Sequence, residues 1–294
     1  MIIVKIMGGL GNQMFQYAAG RALAQKRDTR LYLDTSGYES MAEGDTPRNY
    51  ELDVYNITAE VASPSILNKI VLDPANYTIF NKVARRLGIG KVFILGERGS
   101  GYDEDVLGAP NNTYLSGWWQ SDQYFRSIRD DLVREFEPRT KPDGKNAELL
   151  KSIQQVNAVS IHVRRGDYVQ NAAANTFHGL APIDYYSRAI KHIEKSVVEP
   201  HFFVFSDDLE WCKTELPLPQ NTTYVEGNAG EKAFEDIRLM KHCKHNIIAN
   251  SSFSWWGAWL NQNPTKIVVA PKIWFQNAQA NSETDIVPAE WKRI

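Results

Sequence analysis

Short apolar stretches alternate with segments of helical period through the second half of the chain, and nothing else in the sequence constrains the fold as strongly. Strands are expected at 157–164, 202–206, 222–225, 246–249 and 266–270, and helices at 182–196, 209–215, 233–245 and 252–261. Strands and helices interleaved at this spacing make βαβ units around a parallel sheet. The first of these strands shows its two faces. Val159, Ile161 and Val163 form one apolar face, and period two puts Ser160, His162 and Arg164 on the other.

Each of three strands in this half ends on residues suited to an anion or a nucleotide. The first runs into Arg164-Arg165-Gly166-Asp167. Two adjacent arginines at the end of a buried strand are costly unless something anionic meets them, and guanidinium forks suit diphosphate oxygens. An internal pair with Asp167 that closes the turn is the alternative. The second, His201–Phe205, ends on Ser206, Asp207 and Asp208; Ser206 or Asp207 can cap the helix that starts near Leu209. The third is followed by Asn250-Ser251-Ser252-Phe253, where a helix begins. Free N–H groups and small hydroxyls there suit a phosphate, or the serines simply cap the helix. Trp255, Trp256 and Trp259 read as core.

The first half opens on a strand at 2–7, broken by Gly8-Gly9-Leu10-Gly11, with a helix from about Asn12 and a strand at 30–34 that ends on Asp34. This order outlines a dinucleotide-binding unit and raises a rival function, an NAD-dependent oxidoreductase. The fingerprint fails at Met14, where close helix–strand packing wants Gly or Ala. Further on, Leu52–Val54 reads as a short strand, 64–88 as helical patches and 92–95 as a strand. Asp103-Glu104-Asp105 has the spacing of a metal-binding pair but no apolar strand leads into it, so it reads as a solvated loop. A strand from Tyr114 reaches the adjacent Trp118 and Trp119; either one is core and the other is offered to a sugar ring, or both are core. Residues 138–145, polar with two prolines and a glycine, are the expected boundary between a lobe at 1–145 and a lobe at 146–294.

A net charge of −2 gives no case for nucleic acid or an anionic membrane as the main partner. Two cysteines, Cys212 and Cys243, make no disulfide framework, and the 241–245 stretch is not a zinc site because neighbouring helical residues diverge. No secretory signal and no apolar run of the ~18 residues that span a membrane is visible. The expected location is the cytoplasm, free or peripheral at the inner face of the membrane.

Four stretches together resemble the α-1,2-fucosyltransferases, glycosyltransferase family 11: Gly8–Tyr17, His162-Val163-Arg164-Arg165-Gly166-Asp167-Tyr168, Phe205-Ser206-Asp207-Asp208, and Asn250–Trp256. The resemblance implies an α/β fold of GT-B type, two Rossmann-like lobes facing a cleft, with the acceptor side in the first and GDP-fucose on the second. It implies an inverting transfer of L-fucose from GDP-fucose to the 2-hydroxyl of a terminal β-galactoside, with no metal. Carried onto this sequence, Arg164 is expected at the β-phosphate with Arg165 in support, and His162 orients the donor. Asp208 takes the guanine base, with Asp207 the alternative, and Ser206, Asn250, Ser251, Ser252 and Phe253 complete the nucleotide site. Gly9, Gly11 and Asn12 approach the donor from the first lobe. Asp167 stands near the chemistry, but pairing with arginine would weaken it as a base, so the base stays open. A non-catalytic sugar- or nucleotide-binding protein is the remaining alternative.

Overall fold

The computed structural model describes residues 1–38, 48–67, 92–166, 176 and 179–294. It divides into two compact units, Met1–Phe136 and Glu137–Ile294, so the polar segment 138–145 belongs to the second.

Unit 1 is a parallel sheet of five strands: β1 (Ile2–Lys5), β2 (Leu31–Asp34), β3 (Glu60–Val61), β4 (Phe93–Gly96) and β5 (Thr113–Ser116), in the order β3-β2-β1-β5-β4. Its helices among the described residues are α1 (Leu10–Lys26), α2 (Pro64–Leu67), α3 (Glu104–Gly108) and α4 (Arg129–Glu135). Helix α1 is buried on nearly every side, enclosing Met14, Phe15, Tyr17 and its alanines together with the polar Gln13 and Gln16. Gly20 makes its fit possible: a Cβ there would lie 2.2 Å from Val4 Cγ2 on β1.

One polar network ties the start of the unit to its end. Glu135 accepts from Tyr17 Oη at 2.6 Å and from Arg21 Nε at 3.0 Å, and the backbone N–H of Thr58 donates to the Tyr17 hydroxyl. The expected strand at Leu52–Val54 is instead a single 3₁₀ turn, closed by Tyr55 N–H donating to Leu52 O, with only Leu52 buried. The expected loop at 103–105 is the start of α3, capped by the Asp103 carboxylate. Most of the helical patch expected at 64–88 lies outside the described residues.

Unit 2 is a parallel sheet of six strands: β6 (Asn157–Val163), β7 (Pro200–Ser206), β8 (Thr222–Tyr224), β9 (His245–Ile247), β10 (Val268–Ala270) and β11 (Lys292–Arg293). The helices are α5 (Gly144–Gln155), α6 (Ile183–Ser196), α7 (Leu209–Glu215), α8 (Ala233–His242), α9 (Ser252–Trp259) and α10 (Ala278–Glu283). The strand order β11-β10-β9-β6-β7-β8 is that of a Rossmann sheet.

Val159, Ile161 and Val163 pack with Phe202, Val204 and α6 residues such as Tyr185 and Ile190. The other face is also covered, with Ser160 accepting from Asn246 Nδ2 at 2.7 Å and Asn261 donating to Asn246. Trp255, Trp256 and Trp259 are buried core, and Trp255 donates to Ile286 O. Among the described residues no helix is long and apolar enough to cross a membrane.

Candidate functional site

In unit 2 the chain proceeds from β6 outward through β7 and β8 on one side, and through β9, β10 and β11 on the other. Such a reversal opens a crevice outside the carboxyl ends of the central strands, where open α/β sheets hold ligands. The three expected stretches all leave the sheet at that edge: Arg164–Gly166 after β6, Asp207 and Asp208 after β7, and Asn250–Phe253 after β9.

The adjacent arginines are separated by their partners. Arg164 Nη1 donates to Asp207 Oδ2 at 2.8 Å. The backbone N–H of Arg165 donates to the other oxygen of Asp207 at 2.9 Å. A Cβ on Gly166 would stand 3.0 Å from Asp207 Oδ2, so glycine is what lets the turn close on this carboxylate. Arg165 Nε points to Asp208 Oδ2 at 3.3 Å, and its guanidinium lies 3.8 Å from the centre of the Trp211 ring. Asp208 caps α7, accepting from Trp211 N–H at 3.2 Å, while its own N–H donates to Ser206 Oγ. The cap is therefore Asp208, not Ser206 or Asp207. Arg165 has Asp208 as its partner; Asp167 and Tyr168 lie outside the described residues.

His162 is 4% exposed on the face of β6 opposite Val159 and Ile161. Its ring centre lies 5.5 Å from that of Phe253, which brings the end of β6 against the first turn of α9. Nδ1 is buried and has no hydrogen-bond partner among the described residues. Burial lowers the imidazole pKa to about 4, Arg164 adding to the shift and Asp207 opposing it, so the ring is neutral at pH 7. Ser251 occupies the N-cap position of α9 but makes no side-chain capping bond. Ser254 Oγ donates to Ser251 O. Asn250 has a tethering role, with Nδ2 donating to Gly179 O and Trp274 O at 3.1 and 3.3 Å.

Unit 1 reverses its strand order between β1 and β5, and the glycine turn sits at the carboxyl end of β1. Gly9 is the N-cap of α1, and Gly11 is buried. Gly8 has φ +76°, and a Cβ there would meet Asn12 Nδ2 at 2.9 Å and the Trp118 ring at 3.1 Å. Asn12 Oδ1 accepts from Gln120 Nε2 at 2.8 Å. Gln13 is wholly structural, donating to Gly8 O and Asn49 O and accepting from Glu51 N–H.

Of the two tryptophans, Trp119 is fully buried and Trp118 is 42% exposed. Both of their backbone N–H groups donate to the Glu97 carboxylate, at 2.8 and 2.9 Å. Asp103 and Asp105 are both held by Arg98, whose contacts run from 2.5 to 2.8 Å. The thiols are inert: burial raises Cys212 to about 11 and Cys243 further.

Trp211, Glu97 and Gln120 had no role assignable from sequence. A tryptophan three positions after a helix-capping carboxylate, beside a strand ending in arginines, was the available signal for Trp211.

Residues 97–294 match the profile of glycosyl transferase family 11. An alpha-1,2-colitosyltransferase of Escherichia coli is 36% identical over 304 residues, spanning 100% of this chain and 99% of that protein. The human galactoside alpha-(1,2)-fucosyltransferase 1 is 25% identical, over 86% of this chain and 63% of its own length. Among solved structures, the fucosyltransferase NodZ from Bradyrhizobium superposes with a TM-score of 0.51 at 15% identity, covering 87% of this chain and 91% of that one. A crystal of NodZ alpha-1,6-fucosyltransferase was soaked with GDP-fucose. That likeness shows the fold, which is of GT-B type with two Rossmann-like units.

Proposed function

The chain belongs to glycosyl transferase family 11, and on that premise we propose that it moves L-fucose, with inversion, from GDP-fucose to the 2-hydroxyl of a terminal β-galactoside. The observation that carries the reading is the convergence of Arg164, the Asp207 and Asp208 carboxylates and the first turn of α9 at the strand-order reversal of unit 2. The relative named as a galactoside alpha-(1,2)-fucosyltransferase supports the acceptor and linkage, and the GDP-fucose soak of NodZ supports the donor. Family membership displaces the NAD-dependent alternative.

In this reaction the bond from the sugar's anomeric carbon to the β-phosphate oxygen breaks, and its electron pair stays on GDP. The acceptor oxygen bonds to that carbon from the opposite face and gives up its proton. Charge grows on the departing phosphate, and preorganised N–H donors lower the barrier by meeting it there. Arg164 is assigned to the β-phosphate. Asp207 holds one of its nitrogens, and a guanidinium with five N–H donors can bind a carboxylate and phosphate oxygens together. The amides of Ser252 and Phe253 and the Ser251 hydroxyl are assigned to the diphosphate. His162 is neutral, so it orients the donor and supplies no charge.

Asp208 keeps its assignment to guanine, whose N1–H and N2–H₂ edge offers two parallel donors. The cap and Arg165 contacts engage each oxygen once, and each carboxylate oxygen has two lone pairs. No metal enters this reading; arginine and helix N–H groups carry the positive charge.

A second reading changes the sugar and keeps the site. The relative at 36% identity is named for colitose, which is fucose without the 3-hydroxyl, so a GDP-colitose donor is the alternative. Turnover of both GDP-sugars against lactose, with the product linkage read by NMR, decides between them. Tight GDP binding with neither sugar transferred would leave a non-catalytic binding protein.

A further inference from the structure

Trp118 is presented at the surface at a cost to the backbone beside it. Its neighbour Trp119 is forced to φ +55°, a region bulky residues rarely enter. The Glu97 carboxylate is largely buried to receive both tryptophan amides, and burial raises its pKa against their opposing effect. Gly117 clears the room, since a Cβ there would fall 2.6 Å from Glu97 Cβ. The outcome is one tryptophan buried and the other left 42% exposed at the carboxyl end of β5, beside the turn that follows β1. Strain of this kind persists where a surface is built for a ligand.

The polar groups around the ring match. The Trp118 ring and the Asn12 amide approach the same side of Gly8. Asn12 and Gln120 share one hydrogen bond, which fixes both amides, and among the described residues no other hydrogen bond engages Asn12 Nδ2 or Gln120 Oε1. An aromatic face flanked by one fixed amide donor and one fixed acceptor complements a pyranose, with apolar C–H groups on one face and hydroxyls at its rim.

We propose that Trp118, Asn12 and Gln120 form a monosaccharide platform that takes the terminal sugar of the acceptor, with Glu97 as the positioning residue beneath it. That the sugar is a β-galactoside rests on the function proposed above; that the platform takes a pyranose does not. Asn12 thereby serves the acceptor rather than the donor.

Steady-state kinetics with GDP-fucose and lactose, and saturation-transfer NMR with methyl β-galactoside, test both levels. Trp118→Ala raises the acceptor KM about tenfold, Trp118→Phe restores part of that loss, and Gln120→Ala raises it about fivefold. GDP affinity and melting temperature stay at their wild-type values in all three. An unchanged acceptor KM in Trp118→Ala, or a loss of GDP affinity in its place, overturns the platform. If wild type transfers nothing from GDP-fucose yet binds methyl β-galactoside through Trp118, the platform stands and the proposed function falls. If wild type neither transfers to lactose nor binds the galactoside, while glucosides or mannosides bind through Trp118, the ring class stands and the galactoside falls. Binding of no pyranose at all sinks the platform.

Discussion

The guanidinium of Arg165 lies 3.8 Å over the Trp211 ring and is held at its edge by Asp208, whereas Arg164 beside it reaches Asp207. Two identical side chains in sequence therefore have different physical tasks. Lysine keeps the charge but loses the planar fork and the stack. Arg164→Lys should lower kcat by about 10²–10³, the range for a lost oxyanion donor, with a smaller loss in GDP-fucose binding. Arg165→Lys should cost about 1 kcal/mol of stability through the lost stack, with a mild effect on rate. Kinetics and urea melts on both variants check this, and a larger kcat loss at Arg165 would exchange the assignments.

Asp208→Asn separates two jobs of one carboxylate. Asparagine caps a helix as well as aspartate does, so α7 stays capped. Guanine recognition loses an ionised acceptor, and GDP binding should weaken by roughly one to two orders of magnitude. Calorimetric titration of Asp207→Asn alongside shows which carboxylate meets the base. Wild-type GDP affinity in both would restrict Asp208 to its cap and its arginine.

His162 makes stability depend on pH with a definite sign. Burial lowers its pKa from 6.5 to about 4, so between those values the unfolded chain binds a proton that the folded chain does not. The folded state accordingly loses stability as pH falls through that window, by up to about 3 kcal/mol, and nothing from this group above pH 7. Unfolding by urea at pH 7 and at pH 4.5 measures the drop. His162→Gln should show a clearly smaller drop, and parallel behaviour of the two proteins would refute the assignment.

Donor turnover should survive excess EDTA. Arg98 clasps both Asp103 and Asp105, and among the described residues no cluster of three metal-ligating side chains occurs. Loss of activity restored by manganese or magnesium would return the Asp103–Asp105 pair to the site.

Unit 2 was legible in the sequence because its strands are buried on both faces and read as continuous apolar runs bounded by polar ends. Helix α5 was not legible. Only Asn146 and Ile153 are buried in it, and Pro142-Asp143-Gly144 at its start resembles a linker. Its signal was Asp143, whose carboxylate accepts from Asn146 N–H as a cap. β3 and β11 are two residues each, too short for any period to show. In the site, residue types and strand ends could be read from sequence, but the pairing could not. Which of Asp207 and Asp208 meets which arginine is decided by the turn at Gly166 and the stack on Trp211, and neither leaves a local pattern.

The bonds from Tyr17 and Arg21 to Glu135 make unit 1 a structure whose first helix waits for its last. A ribosome emits Tyr17 more than a hundred residues before its partner, so the apolar residues of α1, among them Met14, Phe15 and Leu23, meet solvent long before its network can close. The nascent chain should stay protease-sensitive, and bound by chaperones, until the 129–135 helix has cleared the exit tunnel, and then become resistant in one step. Glu135→Gln should delay that step without abolishing it, because the apolar packing of α1 remains.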